Sequence, residues 1–404
     1  MQNRLFINDM KKYFGVPRNV FFLGIVSMLN DFSNEMIQSV MPVFLTVTLG
    51  ASAFVVGIIE GVADALASIL KIFFGWVSDK WKVRKKFAVA GYMISVSTRP
   101  FLMLASNFWH VFFLRSVDRV GKGMRDAPRD ALISESVDSE SLGKSFGFHR
   151  MLDTLGGMLG PLAVFFLLPL VFGSYQIIFL IAFGVGALSV ITFVFVEENP
   201  RVEEANPVVV PRMRLSFLKN NRRFSLFLFS IFIFGLGTLP VALLLLRVPS
   251  IGIEARYVTI FYLIYYISFL ITSYPLGKLA DSFGKRRTIA IGFFAALPAY
   301  VAFMFVKTFF GLVIAFIFFG IYSAATDGVE RALAARLVDT HSLAMGQGML
   351  NGAVGISALL AGGIGGLLWT YISPQATFVY AATLSFVGSI LFMFLMNVSF
   401  REQK

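Results

Sequence analysis

The sequence predicts an all-α membrane protein of twelve transmembrane helices in two pseudo-symmetric six-helix halves. Three observations carry this reading. Hydrophobic residues make up 57% of the 404 positions and charged residues only 14%, with 46 phenylalanines. A soluble chain could not hide that much apolar surface, so lipid must be its solvent. Apolar runs of roughly 20 residues, enough to cross hydrocarbon, succeed one another with short connections. Finally, one charged loop occurs twice. Gly75 and Asp79 precede Lys80, Lys82, Arg84, Lys85 and Lys86; Gly277 and Asp281 precede Lys285, Arg286 and Arg287. A glycine, an acid four residues on and a burst of cations, once per half, mark a duplicated bundle.

The first six runs lie near 20–45, 54–77, 87–104, 109–133, 146–172 and 175–196. The second six lie near 224–246, 257–279, 289–305, 309–338, 345–369 and 376–398. Strand-length alternation is absent, which argues against a barrel. The halves are thus 1–196 and 224–404. Between them, 197–223 carries Pro200, Pro207, Pro211 and mixed charge, the composition of an extended cytoplasmic linker. Arg129-Asp130-Ala131-Leu132 echoes Glu330-Arg331-Ala332-Leu333, and Phe146-Gly147 echoes Gln347-Gly348, at nearly the same offset.

Cations set the orientation. They crowd the even-numbered loops and the linker, while the odd-numbered loops hold little beyond Arg247, Arg256 and Lys307. The positive-inside rule then places both termini in the cytoplasm of a multi-pass protein of the cell (inner or plasma) membrane. That asymmetry accounts for the net charge of +12 and leaves no support for nucleic-acid binding. No cleavable signal pattern is expected in the first 19 residues. Without cysteine there are no disulfides or thiolate metal sites. No nucleotide loop, metal-ligand spacing or nucleophile–base pattern appears, so no enzyme, cofactor or metal is expected; a monomer is. The glycines at 362, 363, 365 and 366 follow no strand and are not a nucleotide loop.

The twelve runs, the central loop and the paired Gly-x-x-x-Asp loops resemble the major facilitator superfamily over essentially the whole chain. The family's loop reads Gly-x-x-x-Asp-Arg-x-Gly-Arg-Arg; here Lys80 and Ser282 stand where arginine is usual, and Lys82 replaces the second glycine. Arg115, Asp118 and Gly121 resemble its fourth-helix motif. Gly156-Gly157-Met158-Leu159-Gly160-Pro161 resembles the fifth-helix motif of its bacterial drug:proton antiporters, with Ala163 and Val164 where that motif continues with glycines. The resemblance implies alternating access around a cavity between two six-helix halves.

Moving a solute without a continuous pore needs a polar cavity and alternating gates, and proton coupling needs an acid in low dielectric. In the first run, Ser27, Asp31, Asn34, Glu35 and Gln38 recur at three- and four-residue steps, on one helical face. Counted from Val20 at 1.5 Å per residue, Asp31 lies about 16 Å deep, near mid-membrane. The second run adds Glu60, Asp64 and Lys71, the third Arg99, the fourth Arg115, Asp118, Arg119 and Lys122, and the fifth His149, Arg150 and Asp153. Acids and cations nearly balance, so most should be paired, since an unpaired charge in lipid costs at least about 2.5–3.5 kcal/mol. Comparable charges in the second half are mainly Asp327, Glu330 and Arg331, which places coupling in the first half.

The candidates for coupling or the substrate cavity are therefore Asp31, Asn34, Glu35, Gln38, Asp64, Arg115, Asp118, Arg119 and Asp153. The gating candidates are Asp79, Arg84, Arg125, Asp281, Arg286, Asp327 and Arg331. Each has a plainer alternative. Asp79 and Asp281 suit helix ends; Asp31 and Glu35 suit structural pairs with Arg115 or Arg119; His149 suits a structural hydrogen bond. Gly156, Gly157, Gly160 and the glycines of 362–366 suit close helix packing. The expected function is proton-coupled transport of a small organic solute, with efflux as the direction. Alternatives are a carrier of an anionic metabolite, siderophore or metal ion, and a non-transporting receptor, which needs no polar face in the first helix.

Overall fold

A computed structural model describes residues 12–81, 83–137, 141–198, 221–339 and 342–401. It is helical throughout apart from a short hairpin of β1 (Lys12–Tyr13) and β2 (Val16–Pro17). Then come α1 (Arg18–Val43), continued by a π-turn at Phe44–Thr48, α2 (Ala53–Trp81), α3 (Arg84–Leu102), α4 (Phe108–Glu135), α5 (Leu142–Leu170) and α6 (Tyr175–Thr192). The remainder is α7 (Arg222–Leu236), α8 (Val241–Ser250), α9 (Val258–Ser282), α10 (Lys285–Phe305), α11 (Phe309–Leu337), α12 (Leu343–Tyr371) and α13 (Pro374–Arg401). Since α7 and α8 form one span, the spans number twelve, as expected. Among the described residues, nine are apolar enough to cross a membrane by length and composition alone. The three below that threshold, α1, α3 and α4, carry most of the candidate residues.

The chain divides into two compact units, one of Met1–Val40 with Leu66–Val210, the other of Met41–Ala65 with Pro211–Lys404. The boundaries fall inside α1, after Val40, and inside α2, after Ala65. In the first unit α3 packs along α4, and α6 covers α3. Their approach is close because a Cβ on Gly91 would lie 2.7 Å from the Gly121 carbonyl oxygen, and one on Gly121 2.6 Å from that of Gly91. Likewise α5 lies on α1: a Cβ on Gly156 would meet the Met28 carbonyl oxygen at 2.1 Å, and one on Gly160 the Glu35 Cβ at 2.7 Å. In lipid there is no hydrophobic drive between helices, so such small-residue contacts and polar bonds hold them together. In the second unit, the start of α2 lies on α12, where a Cβ on Gly362 would sit 2.4 Å from the Gly57 carbonyl oxygen. The close-packing reading of Gly156, Gly160 and Gly362 thus holds.

Two expectations need correction. The run 224–246 is not one helix: it breaks between Leu236 and Val241, where Gly237 is followed by Pro240, which lacks a backbone donor. Broken backbone at membrane depth survives only where protein satisfies it. Here Leu239 N–H donates to Tyr300 Oη at 3.3 Å, and Tyr380 Oη donates to the Leu236 carbonyl at 2.7 Å. The hydroxyls of Thr238 and Tyr322 lie 3.3 Å apart. Secondly, Glu197 and Glu198 belong to the first unit and not to a free linker. Glu197 bonds Asn19 and pairs with Arg18 at 3.0 Å. Glu198 accepts from the backbone N–H groups of Arg84 at 2.7 Å and Lys85 at 3.2 Å, placing an anion on the N-terminus of α3. The rest of the expected linker, 199–220, lies outside the described residues.

Two phenylalanines adopt the left-handed backbone conformation. Phe14 (φ 51°) and Gly15 (φ 76°) form the two-residue tip of the hairpin, a position pair that favours Asn-Gly or Gly-Gly. Phe172 (φ 54°) follows α5, ahead of Gly173 (φ 77°). Phe172 N–H bonds the Pro169 carbonyl at 3.2 Å and Gly173 N–H that of Leu168 at 2.9 Å, a Schellman cap with phenylalanine where glycine is usual. For an L-residue this conformation costs about 1–2 kcal/mol.

Gly156→Ala must push α5 off α1, because the obstructing atom is backbone. It should lower stability by roughly 1–3 kcal/mol, the usual range for overpacking, read as an earlier melting transition of purified protein. Gly184→Ala, at a site with nothing within 4 Å, is the matched control and should melt like the native chain. Tyr380→Phe removes the donor to the Leu236 carbonyl and should cost about 1–3 kcal/mol; hydrogen exchange should rise at the α7–α8 break and not elsewhere.

Candidate functional site

Asp31 stands midway along α1, about 20 Å from either end at 1.5 Å per residue. Its neighbour Asn30 is fully buried and forms the hub of the site. One oxygen, Asn30 Oδ1, accepts from Arg99 Nη2 at 2.8 Å and from Arg125 Nη1 at 3.2 Å. The Asn30 amide in turn donates to Asp31 Oδ1 at 3.2 Å. Arg99, only 2% exposed, also donates to Ser33 Oγ, which donates onward to the Ala182 carbonyl on α6. Among the described residues its hydrogen-bond partners are neutral. Arg125 lies 4.5 Å over the Tyr92 ring and 3.6 Å from Asp126. Arg99 is thus held by neutral dipoles and Arg125 by a dipole, an aromatic face and a carboxylate, with Arg125 Nε making no hydrogen bond among the described residues. Asp31, half-buried, lies in the field of Asp153, Arg125, Lys122 and Glu35.

Two clusters flank this hub. On one side, Ser27 Oγ donates to Asp153 Oδ1 at 2.5 Å and accepts from Arg129 Nη1 at 3.3 Å, while Arg150 pairs with Asp153 at 3.3 Å. Arg129 also pairs with Asp130 at 2.9 Å and Asp126 at 3.9 Å, and Lys71 approaches Asp126 at 4.0 Å. His149 is buried beside this cluster, its Nε2 without a hydrogen-bond partner among the described residues. On the other side, Arg115 Nη2 donates to Gln38 Oε1 at 2.5 Å, and Asp118 Oδ2 lies 3.7 Å from Arg115 and 3.9 Å from Arg119. Asn34, Thr98, Arg99, Arg115 and Asp118 line a small cavity here, with room for about one ordered water.

The sequence expectations sort accordingly. Asp31, Asn34, Glu35, Gln38, Arg115, Asp118, Arg119 and Asp153 share one polar core within the first unit, and Arg125, expected at a gate, lies inside it. Arg115 contacts Gln38 and Asp118, Arg119 contacts Asp118, and Glu35 accepts from Asn34 Nδ2 at 2.9 Å. Asp64 is exposed and falls in the part of α2 that packs with the second unit. Arg84 pairs with Glu135 at 3.2 Å. Asp281 pairs with Lys285 at 3.4 Å, Arg286 donates to the Met396 carbonyl at 2.9 Å, and Arg331 meets Asp327 at 2.7 Å. The Asp79 side chain lies outside what is described. Sequence reasoning missed Asn30, Ser33, Tyr92, Asp126 and Arg129; the buried Arg99 and Arg125 were the available signal, since each demanded acceptors.

The second unit has a different interior. Arg247, expected as a loop cation, is buried and donates to the carbonyls of Phe303 at 3.0 Å and of Met304 and Val306 at 3.3 Å, closing the C-terminus of α10. Around the α7–α8 break the polar groups are tyrosine and threonine hydroxyls. Among the described residues no group of three or more His, Cys, Asp or Glu is placed to hold a metal ion.

Comparison with known proteins agrees with this architecture. The family model of the Major Facilitator Superfamily matches residues 23–261 and 226–404. An uncharacterised MFS-type transporter of Methanocaldococcus jannaschii is 32% identical over 387 residues, 94% of this chain and 95% of the relative. A probable 4-methylmuconolactone transporter of Cupriavidus pinatubonensis is 25% identical over 275 residues, 65% of this chain and 62% of the relative. The crystal structure of the nucleoside transporter NupG shares the fold at a TM-score of 0.76, covering 94% of this chain and 98% of that one with 16% identity. Length, charged-loop duplication and near full-length similarity converge, and the chain belongs to the major facilitator superfamily as a membrane transporter of that type.

Proposed function

We propose that this transporter moves a small organic solute across the cytoplasmic membrane by alternating access, coupled to protons and working outward, with Asp31 as the proton carrier. The observation that carries the reading is the Asn30 hub. A mid-membrane carboxylate is joined through one amide to two buried guanidiniums on two other helices. Its proton affinity therefore depends on where α3 and α4 hold Arg99 and Arg125, which links protonation to helix position. The solute class draws support from the nucleoside and 4-methylmuconolactone transporters, both carriers of small organic compounds. Gating at Asp79 and Asp281 remains part of the proposal.

A second reading, an anionic solute, is favoured by the cavity wall that Arg99 and Arg115 share. The two readings differ on Arg115. In the first it is structural, held by Gln38 and Asp118; in the second its planar fork grips the solute.

A thermal-shift screen against drugs, organic anions and siderophores supplies the ligand, since one at 100 times its Kd stabilises the folded state by about 2.7 kcal/mol. With that ligand in proteoliposomes, Asp31→Asn should keep binding and exchange but lose acceleration by a pH gradient. Full gradient response in this variant rejects Asp31 as the carrier. Arg115→Lys retains charge but loses the fork, and should lose roughly 1–3 kcal/mol of stability, read as an earlier melt, while binding its ligand normally when folded. Weakened binding at native melting temperature would instead establish the anionic reading.

A further inference from the structure

Phe14 and Phe172 share a set of properties that the transport reading leaves unused. Both take the left-handed conformation, and no other non-glycine among the described residues does. Both are followed by a left-handed glycine, so a glycine is already at hand for the turn. Yet the bulky ring occupies the first position in each case and stays exposed: Phe172 is 98% exposed, and Phe14, one face of which stacks on Phe21 with centroids 6.0 Å apart, is 83% exposed. Strain at side chains that bury so little within the protein calls for compensation from outside it.

Their placement says what lies outside. The hairpin tip sits at the start of α5, since a Cβ on Gly15 would lie 2.8 Å from Lys144 Nζ, while Phe172 follows the end of the same helix. From Lys144 to Phe172 the axial rise is about 42 Å at 1.5 Å per residue. A bilayer with its headgroup layers measures about 40–45 Å. Each ring therefore falls in a headgroup layer, the zone where the aromatic residues Trp and Tyr concentrate. Trp81 at the end of α2 and Trp109 at the start of α4 are also exposed, at 63% and 65%. Beside Phe14, the exposed Lys144 ammonium supplies a cation for lipid phosphate.

We propose that Phe14 and Phe172 are paired lipid anchors, one in each headgroup layer, that set the depth of the first unit in the membrane. The strained turns hold each ring outward, where a glycine would leave only backbone.

The absence of native cysteine permits a direct test. Phe14→Cys and Phe172→Cys, each labelled with an environment-sensitive fluorophore, are reconstituted in phosphatidylcholine–phosphatidylglycerol vesicles. Nitroxide lipids quench from the headgroup, the upper acyl chain or the bilayer centre. Both labels should emit blue of their aqueous spectrum and lose emission to the two shallow quenchers, with little loss to the central one. Water-like emission at either site overturns the proposal. So does blue emission untouched by lipid nitroxides, which would mean cover by residues 1–11 or a second copy, or quenching strongest from the centre. Unlabelled Phe14→Gly and Phe172→Gly give an independent check, because they relieve the strain. In vesicles they should melt no higher than the native chain; a raised melting temperature means the rings gain nothing from lipid.

Discussion

Asn30 Oδ1 accepts from two buried guanidiniums, and the rest of the first unit is arranged around that bond. Arg99 arrives from α3 and Arg125 from α4, so one neutral amide on α1 ties three helices at mid-membrane. A carboxylate in its place would accept from both cations but would have no N–H to give Asp31, and its charge would repel that acid. An amide accepts from both cations and still donates to Asp31. The backbone geometry follows from the same demand. Gly91, Gly121, Gly156 and Gly160 let helices approach closely enough for short side chains such as Ser33 and Asn30 to reach their partners.

The two units meet the cost of polar groups in lipid by different means. The first pairs charge with charge, in a stripe along α4 from Arg115 to Asp130. The second breaks its backbone at Gly237–Pro240 and repairs the break with tyrosine hydroxyls, leaving Asp327 and Arg331 to pair within one helix turn. Charge density in the first unit is what the proposed proton coupling draws on. The hydroxyl-rich interior of the second offers directional bonds without a net field, suited to positioning neutral parts of a solute.

Much of this was legible in the sequence. The number of spans, the duplication and the polar face of α1 follow from periodicity and from charged loops, because lipid enforces both strictly. The α7–α8 break was not seen, since a hydropathy average absorbs Gly237 and Pro240 among leucines and phenylalanines. Asn30, three residues after Ser27 and four before Asn34, keeps the helical spacing of that face; what marks it as the hub is its partners on α3 and α4, which a single-helix pattern does not contain. Glu197 and Glu198 read as linker because prolines follow, whereas Glu197 holds the start of α1 and Glu198 caps α3, contacts 113 or more residues away in sequence.

The low apolarity of α1, α3 and α4 bears on how the chain is made. Each charge at a helix centre opposes entry from the translocon by about 2.5–3.5 kcal/mol, and α4 carries Arg115, Asp118, Arg119 and Lys122 in its interior. Such a segment does not partition into lipid alone. It enters in company, since Gln38 and Asn30 of α1 supply acceptors to Arg115 and Arg125. Synthesis runs in that order, so the hub residue Asn30 is in the membrane before Arg99 and Arg125 emerge. The polar core is then also an assembly intermediate: a waiting site on the first helix that makes insertion of the fourth thermodynamically possible.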